Sequence, residues 1–124
     1  MIAGSVLPDG QPMVTVLVRG PTRQVARVQA AIDTGFNDYL ALPPSAIERL
    51  GLESEDEGKY VLADGSESPM DIYRAEIEWM GAWRSILVIS LDANVLLGTA
   101  MMHGCVLTIE MLDGGRVEIR PINS

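Results

Sequence analysis

An acid, a hydroxyl and a glycine stand in a row at Asp33-Thr34-Gly35, at the end of the apolar approach Ala30-Ala31-Ile32. This is how a strand delivers a carboxylate to a reaction centre and then turns sharply. Gly35 lets the backbone fold back and aim its N–H at a carboxylate oxygen. The Thr34 hydroxyl can lock the loop without competing as an acid. Two such carboxylates held roughly 3 Å apart cannot both ionise, so one keeps a proton and the other does not. The pair can hold a water, deprotonate it for attack on a peptide carbonyl, and protonate the departing nitrogen. Its titration belongs to the pair and to neither member. The tripeptide occurs once, so dyad chemistry calls for two chains sharing one site. Asp-Thr-Gly is also good turn chemistry, because Asp and Gly are common turn formers, and the surrounding elements have to discriminate.

Those elements read as short β-branched runs separated by turn residues, the pattern of an all-β sandwich or barrel. Pro8-Asp9-Gly10 turns between a short N-terminal strand and Met13 to Val18. Gly20-Pro21-Thr22 turns into Val25 to Ile32, and Tyr39 to Leu42 forms a short strand after the Asp33 bend. Pro43-Pro44-Ser45 opens a helix over Ala46 to Leu50, stopped by Gly51. The acidic run from Glu53 to Glu57 reads as a solvated loop. Lys59 to Ala63 and Glu67 to Trp79 flank Asp64-Gly65, a two-residue hairpin signal. Met80-Gly81 turns into Trp83 to Ile89. Asn94 to Leu97 is apolar and ends at Gly98, and Thr99 to His103 has room for one helical turn. Val106 to Met111, Asp113-Gly114-Gly115 and Val117 to Ile119 finish the chain as a hairpin.

The 124 residues suit one domain, 1–124, with a core that needs no staples. With 17 acidic and 9 basic residues the formal net charge is −8. No basic stripe is present, so the footprint of a nucleic-acid binder is missing, and acidity disfavours anionic membranes. The one cysteine, Cys105, excludes an internal disulfide. The N-terminus lacks the basic and apolar regions of a signal peptide. Apolar runs such as Ile86-Leu87-Val88-Ile89 are too short to span a bilayer. The expectation is a soluble cytoplasmic protein without membrane insertion or nucleic-acid partner.

Three pieces in order, Ala31-Ile32-Asp33-Thr34-Gly35, Leu62-Ala63-Asp64-Gly65-Ser66 and Leu96-Leu97-Gly98, form a layout that resembles the retropepsin-like aspartic peptidases. This single-lobe family includes the retroviral proteases. More narrowly, the chain is similar to small cellular members whose motif reads Asp-Thr-Gly-Phe, here Asp33 to Phe36. The resemblance covers about Val14 to Ile119. It implies an all-β acid-protease barrel with one or two short helices, working as a homodimer with the active site at the interface. It implies an aspartic endopeptidase in which Asp33 of both chains is the general acid/base pair and Thr34 cross-bonds at the dimer base. Peptide or protein would be the substrate, with no cofactor and no metal. Residues 61–70 would be a flap closing over bound peptide, with Leu62 and Ala63 nearest it and Asp64 and Gly65 at the turn. Leu96, Leu97 and Gly98 would thread behind the catalytic loop and buttress it. In retroviral members the terminal strands interleave into an interface sheet; Met1 to Val6 and Val117 to Ile122 are the corresponding segments, and the sequence does not decide whether they do so.

Many viral members have a small residue after the motif, then an acid paired with an arginine that follows the apolar-apolar-Gly element. Here those positions hold Phe36, Asn37 and Thr99. Acid and arginine are absent together, so no charge is left unpaired, and a hydrogen bond from Asn37 to the Thr99 region is the expected replacement. Phe36 can wall a substrate pocket or pack in the core, with the pocket slightly favoured. Asp38 can contact peptide polar groups or serve as a turn acid. His103 and Cys105 lack the pattern of a metal site, and one histidine builds no convincing nucleophilic triad. Tyr73, Trp79 and Trp83 read as core or dimer packing, and Met101 and Met102 as core filler. The rival reading is a non-catalytic peptide-binding or dimerisation module on the same fold. A remoter one is a sensor whose dimerisation follows pH.

Overall fold

The computed structural model describes residues 1–55, 58–61, 65 and 67–123. In chain order the elements are β1 (Ile2–Val6), β2 (Pro12–Arg19), β3 (Val25–Ile32), β4 (Leu40–Leu42), α1 (Pro44–Leu50), β5 (Glu53–Ser54), β6 (Gly58–Val61), β7 (Glu67–Met70), β8 (Ile72–Trp79), β9 (Ala82–Ser90), β10 (Leu96–Leu97), β11 (Cys105–Ile109) and β12 (Arg116–Pro121). Period-two alternation decides what each long strand buries. In β2, Val14, Val16 and Val18 point inward, and in β8, Ala75, Ile77 and Trp79 do. β4 is buried throughout, as its unbroken apolar sequence requires. Leu40 and Leu42 enter the main core, while Ala41 on the other face joins Phe36 and Ile89 in a smaller cluster.

The strands run in the order β11-β12-β1-β2-β3-β10-β4-β9-β8-β5. A further pairing of β2 with β8, Val18 to Ile77 and Arg19 to Glu76, closes the middle of this sheet into a barrel. β6 and β7 form a separate two-stranded hairpin. The helix is bounded as expected. Pro44 lies in its first turn, and Gly51 adopts φ +62, sending its N–H to the Glu48 carbonyl while Leu52 bonds the Ile47 carbonyl. Between β8 and β9, Met80 and Gly81 both take positive φ, 51° and 89°, and Trp79 pairs with Ala82. That is the two-residue primed turn that matches strand twist.

Several expectations are corrected. Glu67 to Trp79 is not one strand: it breaks at Asp71 because β7 pairs with β6 while β8 pairs with β9. Glu53 and Ser54 are not loop but the edge strand β5, paired with Tyr73 and Arg74 of β8; Glu55 then meets Arg74 at 2.7 Å. Residues 56 and 57 of that acidic run lie outside the described residues. Thr99 to His103 winds through turns without becoming a helix. It holds one i→i+4 bond, Met102 N–H to the Gly98 carbonyl at 3.4 Å, before Gly104 at φ +81 redirects the chain into β11. Across the β6–β7 hairpin the last recorded pair is Val61 with Glu67. The expected Asp64-Gly65 turn falls in the stretch beyond that pair, where Asp64 lies outside the described residues.

The chain's terminal strands are engaged within the chain. β12 lies between β11 and β1, and β1 between β12 and β2, with Ile2 opposite Ile119 and Gly4 opposite both Val117 and Val14. Interleaving them with a second chain would require breaking these pairs. β11 ends the strand order, with no further strand beside it among the described residues.

Leu97 is fully buried at the centre of the strand order, between β3 and β4. Leu97→Ala is expected to cost about 2–5 kcal/mol. Leu87→Ala, on the 38% exposed face of β9, should stay within about 0.5 kcal/mol of the parent. Urea unfolding of the two variants side by side checks the assignment of inner and outer faces.

Candidate active site

β3 ends where the chemistry begins. Its last residues pair in parallel with β10, Ala31 with Leu96 and Ile32 with Leu97. The Ala31 N–H reaches the Val95 carbonyl at 2.9 Å, and the Asp33 N–H reaches the Leu97 carbonyl at 3.0 Å. Asp33 is half-buried, while Thr34 and Gly35 are exposed. The Gly35 N–H donates to Asp33 Oδ1 at 2.9 Å, and the Phe36 N–H to the Asp33 carbonyl at 3.1 Å. The Gly35 bond, made to a carboxylate oxygen, is charge-assisted and holds the side chain in one orientation. Among the described residues nothing donates to Oδ2, so that oxygen has capacity for a water or a second carboxyl group. A Cβ on Gly35 would stand 3.3 Å from Oδ1. Glycine here serves the close approach of the carboxylate.

The loop is fastened from behind by the segment that follows β10. The Gly98 N–H bonds the Tyr39 carbonyl at 3.1 Å, and the Thr99 N–H bonds the Phe36 carbonyl at 2.8 Å. A Cβ on Gly98 would collide with the Asp38 carbonyl oxygen and stand 2.6 Å from that of Phe36 and 2.7 Å from Phe36 Cδ2. Two of those three atoms are backbone and cannot swing aside. The Thr99 hydroxyl lies 3.4 Å from the Phe36 carbonyl and 3.5 Å from Asn37 Oδ1. The link between positions 37 and 99 is therefore neutral and long.

The remaining site expectations fall out unevenly. Phe36 is buried at 4% exposure against Ala41 and Ile89. Its side chain packs in the core rather than walling a pocket, because the outer face of β4 supplies it with an apolar socket. Asn37 is exposed and Asp38 half-buried. Leu97 and Gly98 are buried and Leu96 half-buried. Leu62, Ala63 and Asp64 lie outside the described residues, whereas Gly65 is exposed at φ +84. His103 is exposed and Cys105 half-buried. No group of metal-ligating side chains occurs among the described residues. Trp79, Met101 and Met102 are core residues. Trp83 is half-buried, and its ring lies 4.0 Å from the Arg19 guanidinium. Sequence reasoning missed Arg84 and Tyr39, which line a cleft with Asn37, Thr99, Ala100 and His103. Arg84 has the strand parity of buried Ile86 and Val88 and lies opposite buried Ile77, yet is exposed near the start of β9, and no local signal marks its meeting with residue 103.

Among solved structures the chain is similar to EIAV protease complexed with the inhibitor HBY-793. The likeness covers 74% of this chain and 85% of that one, at a TM-score of 0.51 and 17% sequence identity. The fold is retropepsin-like. No protein-family model matches the chain, and no curated protein does. In this retropepsin-like barrel the one Asp-Thr-Gly loop sits at the end of β3, backed by β10.

Gly98→Ala is expected to destabilise the fold by about 1–3 kcal/mol or more, because the added methyl overpacks a site walled by backbone. Thermal unfolding reads the loss. The amide signals of residues 33–39 should shift well beyond those of β11, and an unperturbed loop would contradict the buttress.

Proposed function

We propose that this protein is an aspartic endopeptidase whose active site forms when two chains bring their Asp33 carboxylates together. The observation that carries the reading is the Asp33 carboxylate, presented half-buried at a strand end with Gly35 N–H on one oxygen. The retropepsin-like fold supports it. In this reading one carboxyl of the pair is protonated and the other ionised. The ionised member takes a proton from the shared water as it attacks the peptide carbonyl. The protonated member stabilises the developing alkoxide and supplies the proton that leaves with the amine. Thr34, exposed beside Asp33, would tie the two loops together.

Substrate would lie extended across the paired loops and add its backbone bonds to a strand edge. The β6–β7 hairpin is the proposed flap, with Leu62, Ala63, Asp64 and Gly65 at its tip and in contact with peptide. Asn37 and Asp38, which follow the loop, would meet the peptide flank. The proposed chemistry draws on no metal or cofactor. No helix among the described residues is long and apolar enough to cross a membrane, and the cytoplasm is the proposed location.

Asp33→Asn should lower peptide cleavage by at least about 10²–10⁴-fold, the range of a general acid/base contribution. The variant should sediment as the same dimer as the parent. Cleavage of a proteome-derived peptide library, read by mass spectrometry, checks the first expectation. Hydrolysis that survives in the variant, or a parent protein that is strictly monomeric, overturns the reading. Peptides that bind uncut to the parent would point to the non-catalytic module.

A further inference from the structure

A cleft of about 440 Å³ opens beside the proposed catalytic loop, lined by Asn37, Tyr39, Arg84, Thr99, Ala100 and His103. Three separate segments build it: the stretch after Gly35, strand β9, and the turns after Gly98. Its chemistry is the reverse of the chain's average. The protein carries 17 acidic residues against 9 lysines and arginines, yet this lining contains no acid, one arginine and the chain's one histidine. Arg19, Arg74 and Arg116 each have a carboxylate partner. Arg84 makes no ion pair or hydrogen bond with the described residues and stands exposed in the cleft. An arginine offers five N–H donors in a planar fork and no acceptor. The Asn37 Oδ1 faces the Thr99 hydroxyl, which leaves its amide NH₂ as donor. Tyr39 and His103 add a hydroxyl and a ring N–H.

A donor-rich wall with an unengaged guanidinium fits a planar anion that accepts two parallel hydrogen bonds. We propose that this cleft is a subsite for a carboxylate of the bound peptide, with Arg84 as its fork and Asn37 and His103 as flanking donors. The assignment rests on the peptidase reading of the adjacent loop. Asn37 lies two residues beyond Gly35, so one wall of the cleft belongs to the same loop as Asp33. The carboxylate is an Asp or Glu side chain near the cut bond, or the chain's own C-terminal group.

Three small probes separate these sources by titration of the isotope-labelled protein. N-acetylglutamate α-amide carries only a side-chain carboxylate, N-acetylglutamine only a terminal one, and N-acetylglutamine amide neither. Saturable shifts of the Asn37, Thr99, Ala100 and His103 amides with one or both carboxylate probes, and none with the neutral probe, are expected. Whichever binds identifies the source. Arg84→Gln should weaken that binding about fivefold, the upper range for an exposed charge pair, and Arg84→Lys should weaken it less. Equal shifts with all three probes, no shift with any, or binding indifferent to Arg84→Gln would overturn the subsite. Because the probes need no hydrolysis, Asp33→Asn should bind them like the parent. A failed peptidase reading thus shows in the cleavage assay and a failed subsite in the titration.

Discussion

A strand two residues long governs what the Asp33 loop can do. β10 lies between β3 and β4, parallel to one and antiparallel to the other. Its neighbourhood ties down the loop through Asp33, Phe36 and Tyr39. Each backbone bond has a net worth of only about 1 kcal/mol. Their combined effect is positional: the loop can neither lift nor slide while the ladder beneath it holds. The absent side chain of Gly98 is the condition for this approach, since the space a methyl would need is filled by loop backbone. The carboxylate geometry at Asp33 is thus inherited from a contact on the far side of the loop.

The parts of this arrangement that depend on neighbours in sequence were legible from it. Val14, Val16 and Val18 announce an alternating strand, Pro43-Pro44 and Gly51 bracket a helix, and Met80-Gly81 marks a hairpin. Each signal is local chemistry acting on a few dihedral angles. What was not legible depends on partners distant in the chain. The break at Asp71 exists because two halves of one extended run choose different sheets, and Pro69, which cannot donate to a ladder, is its one local sign. Phe36 suits a pocket or a core equally well as a residue type. The decision lies with Ala41 and Ile89, which only the barrel brings to it. The cleft is harder still, because its walls come from residues 37, 84 and 103, which only the fold brings together.

Charge explains how loop and cleft coexist. Beneath the loop, the link between Asn37 and Thr99 is neutral. Asn37 is exposed, so a charged pair there would contribute only about 0–1 kcal/mol, and a long neutral bond fixes little more. Packing takes over the positioning, through Phe36 in its socket and the backbone wall at Gly98. Positive charge stands instead at the rim, on Arg84, where water screens it and no internal carboxylate claims it.

The proposed two-fold assembly gives this placement a consequence. A symmetric dimer would carry two such clefts, one from each chain. A peptide strand has direction, and the two halves of the site do not distinguish it. Backbone bonding to the hairpins can therefore hold a peptide without choosing which bond is cut. Side-chain chemistry away from the symmetry axis would have to make that choice, and the proposed arginine fork would make it through where along the peptide a carboxylate falls. The constraint that would build a catalytic pair from one motif is the same constraint that would move selectivity outward from it.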